Sequence, residues 1–547
     1  MKVFKKLVVI IAITFIAGCA KDEFTTEQAS TKVGISTISG FNLGNKLENA
    51  YSLAYMRQAY DTLLTRGEIS GSIDISATHL YIKLTPQDST EMNCILADTI
   101  LELFPYPLDY ELIGEGEYVV KETAIPVLYT VIPVNHTLDS RINFEILEEC
   151  FIPEDYDENP DLAKLELKAL YLSGNISEEQ IGQEINARAS WWRRPAGSVK
   201  VCNTGYGNSN NYEPVRGVKV RVHNIVKISS MYTNSNGYYS SGKSFLTDVH
   251  YSAVFENSKG FKVWSNLGPF SPAIHNVGWH SKNGYDITIG ANSCAWPWAT
   301  INNATLDYYN VICPHFNIPQ PYNELRIWYL SGVVGDILDS LGLSGWGGST
   351  PMLRNITLSV APLAEYLFIL GLLDSPALSI TTAAVYGVML CLPDVFITDT
   401  IRSTNSLRKL IFHELSHASH YNQVGPEYWA QYIYQICYNV LTTHDAYGSE
   451  QNEHNNIVGV GEMWAYYFEY KCIGYCGYYF PYFPGGNEWF APKILKQIEE
   501  NGDAITPRKI YDALRYHVQS HEALKQELIS RYGQEQIINQ AFEEEGF

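Results

Sequence analysis

The sequence predicts a multidomain chain: an α+β N-terminal domain, a β-sandwich middle domain and a mainly helical α+β C-terminal domain. Three observations predict it. The chain has 547 residues, several times the roughly 100–200 residues of one domain. At residue 196 the composition turns to Gly, Asn and Ser clusters between short alternating runs. From residue 290 onward, long segments with helical apolar spacing return. These shifts set the bounds at 41–195, 196–289 and 290–547. A hydrophobic fraction of 46% beside 18% charged residues is ordinary for globular chains and excludes wholesale disorder or collagen.

In the first domain, Asn42–Leu64 has helical spacing, with Leu43, Leu47, Tyr51, Tyr55 and Leu63 on one side. Residues 78–84 and 127–132 alternate and predict strands, and Ile176–Arg188 predicts a helix. No chemical motif stands in this region. It suits a spacer, a docking module or a propeptide, and Arg193-Arg194 is a candidate cut site beside the second domain. In the middle region, 198–201, 217–222 and 249–255 alternate, and the turn at 233–237 leads into a further strand. Short strands with regular turns argue for a β-sandwich. The order GVKVRV, TNSNGYY, YSAVF resembles the prealbumin-like, carboxypeptidase-regulatory-like accessory domains, which implies a spacer without catalytic residues.

In the last region, 300–313 and 333–341 have helical spacing and 344–349 reads as a flexible loop. Residues 358–392 suggest a buried helical hairpin. Pro362, Glu365, Asp374 and Pro376 deny it the ~20 clean apolar residues of a membrane span. Val395-Phe396-Ile397 predicts a strand, and Asn405 or Ser406 can cap a helix starting at Leu407. Thr506-Pro507 predicts the start of a helix over 508–524.

The N-terminus predicts the compartment. Lys2, Lys5 and Lys6 precede an apolar run over 7–16, then Ala17-Gly18-Cys19. This resembles a bacterial lipobox, which implies removal of residues 1–18 and lipidation of Cys19. Acyl chains in pairs anchor stably. Lys21-Asp22-Glu23 behind the cysteine resembles the surface-export signal of Bacteroidota lipoproteins, which implies an outer-membrane protein facing outward. Residues 19–40 read as the lipidated tether. Lys+Arg 38 against Asp+Glu 59 gives −21, and loss of three lysines leaves 35 − 59 = −24. That charge opposes nucleic-acid partners, which require a basic face. Membrane attachment therefore rests on Cys19. The nine cysteines beyond Cys19 cannot all pair within the chain. Cys472-x-x-x-Cys476 has no second pair beside it and does not read as a zinc ribbon.

The chemistry lies in His413-Glu414-Leu415-Ser416-His417. On a helix, positions 413 and 417 share one face a turn apart, so both imidazoles can reach one zinc ion. Glu414 projects beside them, where it can take a proton from water. A catalytic zinc needs a third protein ligand and an open position. His420 lies one turn further and points past the metal or supports it from outside. Gln423 stands where a metzincin has its third histidine. Glu462, 45 residues beyond His417 on a second helical segment with Ala465 and Glu469, is the better candidate. His444, Asp445, Glu453 and His454 compete with it.

A helical HExxH followed by a downstream helical Glu resembles the gluzincin zinc metallopeptidases. The resemblance implies a zincin-like domain with one Zn2+ per chain. It makes His413, His417 and Glu462 the ligands and Glu414 the general base for peptide-bond hydrolysis. Where some gluzincins brace the first histidine with Asp, this chain has Tyr466, so Glu469 would brace it instead. Tyr466, Tyr467, Tyr447, His444 and His454 are candidates to stabilise the oxyanion. Residues 395–397 are a candidate sheet edge for peptide addition, and the aromatic run 474–483 a candidate substrate wall. The implied partner is a protein, peptide or glycoprotein substrate. The rival expectations are a binding lipoprotein with a silent zinc site, and a hydrolase of a non-peptide amide such as a cell-wall link. Oligomeric state is not legible.

Overall fold

The computed structural model describes residues 42–547, apart from 70, 88, 115–126, 181–191, 207–210, 266–271, 330–346, 353–393, 398–402, 444, 478–482 and 503–504. The leader and Cys19, the helix over 333–341, the hairpin over 358–392 and His444 lie outside the described residues. The chain is multidomain and mixes helices with large sheets.

The N-terminal module begins with β1 (Asn42–Lys46) and α1 (Leu53–Thr65). The helical spacing over 42–64 therefore holds only from Leu53. Ser52 caps α1 by accepting from the Tyr55 N–H, a strong start signal. Upstream, tertiary pairing overrides spacing. β2 (His79–Leu84), α2 (Ser89–Ala97), β3 (Tyr110–Ile113), β4 (Leu128–Pro133) and β5 (Phe144–Cys150) follow. β1 pairs with β3, and a Cβ at Gly44 would stand 2.8 Å from Glu111 Oε2. β4-β2-β5 form an antiparallel sheet, and α3 (Pro160–Leu172) packs with α1. The expected helix over 176–188 is helical at 178–180, and the rest lies outside the described residues.

Next come β6 (Ala196–Cys202), β7 (Tyr212–Pro214), β8 (Val218–Asn224), β9 (Lys227–Tyr232) and β10 (Tyr238–Ser240). β11 (Val249–Asn257), β12 (Lys262–Trp264), β13 (Ile274–His280) and β14 (Ile287–Ile289) complete the region. One sheet has the order β10-β6-β14, with β7 beside β6. A larger sheet runs β12-β11-β8-β9, with β13 also on β11, and both contribute to one core.

α4 (Ala295–Asp307) continues through a wide turn into α5 (Cys313–Phe316). β15 (Arg326–Tyr329), β16 (Gly348–Ser349) and β17 (Val395–Ile397) extend the larger sheet in the order β16-β17-β15-β12. This sheet thus runs across residue 289 without a break, and a single core spans Val199 to Phe542. Residues 395–397 are not an edge: β17 is flanked by β15 and β16 and fully buried. β16 is the outermost described strand.

The helices are α6 (Thr404–Val424), α7 (Pro426–Thr443), α8 (Asn456–Tyr475) and α9 (Lys493–Asn501). α10 (Pro507–Ala513), α11 (His521–Tyr532) and α12 (Glu535–Glu544) follow. α6 starts at Thr404 rather than Leu407, because Ser403 caps it through the Ser406 N–H. The helix expected over 508–524 is two. Leu514 leaves helical geometry at ψ 82°, and Ser520 caps a new start. No described helix is long and apolar enough to cross a membrane. The seven cysteines with described side chains are all free thiols.

The N-terminal module is docked firmly. The β8–β9 turn inserts Ile225 and Val226 into its core. Ile225 takes φ 49°, a region branched side chains seldom adopt, and its side chain is fully enclosed there. Arg193 exchanges backbone hydrogen bonds with Phe245, at 3.0 and 2.8 Å, so the candidate cut site is not an open linker.

Candidate metal centre

α6 and α8 build the site. Their faces are lined by small residues, Ala418 and Ala465, both buried, and the Trp464 indole donates to the Ser416 carbonyl at 3.0 Å. This close approach brings Glu462 to the two histidines one turn apart on α6. His413 Nε2 lies 3.2 Å from His417 Nε2. Glu462 Oε2 is 3.5 Å from His413 Nε2, and Oε1 is 3.5 Å from His417 Nε2. All three side chains are at most 1% exposed. Four tetrahedral ligands bonded at ~2.0–2.1 Å stand about 3.3 Å from one another, which matches these separations. Neither Glu462 Oε2 nor His417 Nδ1 has a hydrogen-bond partner among the described residues. Two nitrogens and a carboxylate converging in a buried space form a donor set that fits a metal ion. Among the described residues no other group of three or more His, Cys, Asp or Glu does so.

The electrostatics agree. Burial opposes charge on His413, but hydrogen bonding to Glu462 and Glu469 outweighs it and pushes its pKa up to about 10. Burial likewise opposes charge on Glu462, yet the two imidazoles hold it at about 2. Burial keeps His417 below its ordinary value, against the pull of Glu462.

Glu414 is fully buried, and burial raises its pKa to about 7 against the pull of His413 and a Thr350 hydrogen bond. Thr350 Oγ1 donates to Oε2 at 2.7 Å. Oε1 has no hydrogen-bond partner among the described residues. A Cβ at Gly348 would stand 2.8 Å from that oxygen, so β16 can lie over Glu414 only with glycine there.

Glu469 Oε2 lies 3.0 Å from His413 Nδ1, in the bracing position, and its other oxygen faces Lys409 Nζ at 3.8 Å. Tyr466 packs edge-on against the His413 ring at 4.4 Å, while its hydroxyl is 2.7 Å from that of Tyr447. Tyr467 turns instead to Glu499, at 2.8 Å. His454 sits exposed on the turn Glu453–Asn455. His420 is buried against Tyr428 and Trp429, and neither ring nitrogen has a hydrogen-bond partner among the described residues. Burial, then His417, lowers its pKa to about 3. In the aromatic run, Tyr475 stacks on His315 at 3.9 Å and Phe483 packs on Tyr470, while 478–482 lie outside the described residues.

Two participants escape the sequence reading. Tyr432 on α7 donates to Glu462 Oε1 at 2.5 Å, and Thr350 holds Glu414. Nothing local marks either: Tyr432 is one of 39 tyrosines, and Thr350 follows a short glycine-rich loop. No family model, curated protein or solved structure matches the chain.

Proposed function

We propose that this chain is a zinc-dependent metallopeptidase, an endopeptidase of gluzincin-like design, held at the bacterial outer surface by a lipid on Cys19. The observation that carries the reading is the buried His413–His417–Glu462 group with the sequence neighbour Glu414 held beside it. Glutamate at 414 is not needed to hold a metal here, so its burial calls for another role. A bound zinc ion supplies Lewis acidity toward water and toward a carbonyl oxygen. Glu414 Oε1 takes the proton from the attacking water and returns it to the leaving amine. Thr350 fixes Oε2, which leaves Oε1 as the working oxygen. His413 is fixed by Glu469. The β-sandwich region and the N-terminal module then serve as accessory domains of a zincin-like unit.

The experiment measures metal content and hydrolysis by the full chain, purified in detergent. Wild type, Glu462→Ala and Glu414→Gln are compared against proteins, mucins and peptidoglycan fragments. About one zinc per chain is expected, lost in Glu462→Ala and kept in Glu414→Gln, with hydrolysis lost in both. Wild type that takes up no zinc ends the proposal. Cleavage confined to the peptidoglycan fragments would replace the peptide substrate by a cell-wall amide.

A further inference from the structure

Tyr432 lies on α7, outside both helices that carry the cluster. Its ring is clamped. One face stacks on Trp429, with centroids 4.6 Å apart and planes 27° off parallel. An edge meets the backbone of α8 at Gly461, where a Cβ would stand 2.4 Å from Cε2. Trp429 is itself tied down, its indole N–H donating to the Thr350 carbonyl at 2.9 Å. The Tyr432 hydroxyl is therefore aimed at Glu462 before any ligand arrives. Both carboxylate oxygens of Glu462 face imidazole nitrogens at the same 3.5 Å. Only the 2.5 Å bond from Tyr432 distinguishes them: it occupies Oε1 and leaves Oε2 without a hydrogen-bond partner among the described residues.

We propose that Tyr432 is a positioning residue that restricts Glu462 to one metal-binding oxygen, Oε2. The inference rests on the metal-site reading above and adds a constraint to it. Carboxylates bind cations through one oxygen or two. A second oxygen on the ion would add to the three protein ligands and the water of a catalytic site, raising the coordination number from four to five and crowding the position such a site keeps open. Holding Oε1 in a hydrogen bond prevents that without adding a protein ligand. Gly461 belongs to the same device, because any larger residue there would push the phenol ring off Glu462.

The test uses Co2+ in place of zinc in the full chain, since cobalt reports coordination number through its visible absorption. Four-coordinate centres absorb more strongly than five-coordinate ones. X-ray absorption on the wild-type cobalt protein should show a carboxylate bound through one oxygen. A two-oxygen carboxylate in wild type overturns the inference without recourse to any variant. Tyr432→Phe, checked for folding by its melting curve, should lose visible intensity as Oε1 joins the ion. Gly461→Ala, which keeps the hydroxyl but displaces it, should show the same loss. A folded Tyr432→Phe protein with the wild-type spectrum overturns the inference while leaving the metal site intact. Wild type that binds cobalt no better than a His413→Ala/His417→Ala variant overturns the metal-site reading, and this inference with it.

Discussion

Replacing Glu469 by alanine should weaken zinc binding about 10–100-fold, the usual loss when the outer partner of a metal-ligating histidine is removed. Glu469 Oε2 sits 3.0 Å from His413 Nδ1, with both side chains at most 2% exposed. The carboxylate accepts the Nδ1–H and so leaves Nε2 as the ligating nitrogen, turned toward His417 and Glu462. A second route gives the same size of effect. Alanine leaves a buried N–H without its acceptor, which costs about 1–3 kcal/mol. A loss of 10–100-fold in affinity corresponds to about 1.4–2.7 kcal/mol. Glu469→Gln keeps an acceptor but not the charge, so its loss should be smaller, under about tenfold. The assay is competition for zinc against a chromophoric chelator at fixed pH. His454→Gln, at an exposed position outside the cluster, is the control and should match wild type. If Glu469→Ala binds zinc as tightly as that control, the carboxylate does not orient His413 and the bracing argument fails.

Three further outcomes follow from the same structure. Against its burial, Glu462 and Glu469 push the pKa of His413 up to about 10, so zinc binding at neutral pH should release about one proton. Calorimetry in buffers of different ionisation enthalpy reads it, and an enthalpy independent of buffer refutes it. Lys227 and Glu166, at most 1% exposed, pair at 2.9 Å where β9 meets the N-terminal module, and Tyr51 also donates to Glu166. Lys227→Met strands a buried charge and should cost about 3–5 kcal/mol in urea unfolding. Adding Glu166→Gln, which keeps an acceptor for Tyr51, should restore more than half, and two variants of equal stability would contradict the pairing argument. Finally, burial and then His280 lower the pKa of His250 to about 3. Its folded pKa lies below its unfolded one, so the unfolded chain binds more protons between them. The associated stability is complete above pH 6.5 and is lost as pH falls toward 3, by up to about 5 kcal/mol. Melting temperature should fall over that window and fall less in His250→Phe; parallel curves would show that another group dominates.

What the sequence discloses and what it hides divide along a physical line. His413 and His417 are legible because helical periodicity alone puts them on one face, and Glu462 and Glu469 share a face of α8 for the same reason. Ser403 shows how near that local logic comes, since the cap lies two residues before Asn405. Edge and interior strands are not distinguished locally. Val395-Phe396-Ile397 is apolar throughout, as a buried strand should be, and only its pairing with β15 and β16 reveals its place. The parallel pairing of β12 with β15 joins segments separated by the whole of α4 and α5. No composition shift at residue 289 can foretell a sheet that crosses it.

The hidden part of the site has the same cause. Glu414 is held by Thr350, Thr350 by Trp429, Trp429 stacks on Tyr432, and Tyr432 holds Glu462. Each link joins a different pair of neighbours, and three of the four cross between separate elements. Periodicity therefore has nothing to register, although the path connects Glu414, the proposed acid–base carboxylate, to the third candidate ligand. α7, the helix that carries its middle, has an ordinary amphipathic pattern and no reactive motif. The residues that do chemistry in such a site are found by spacing, whereas those that hold it in register are found by contact. The second set decides whether a buried His-His-Glu group keeps an open position or closes around its ion.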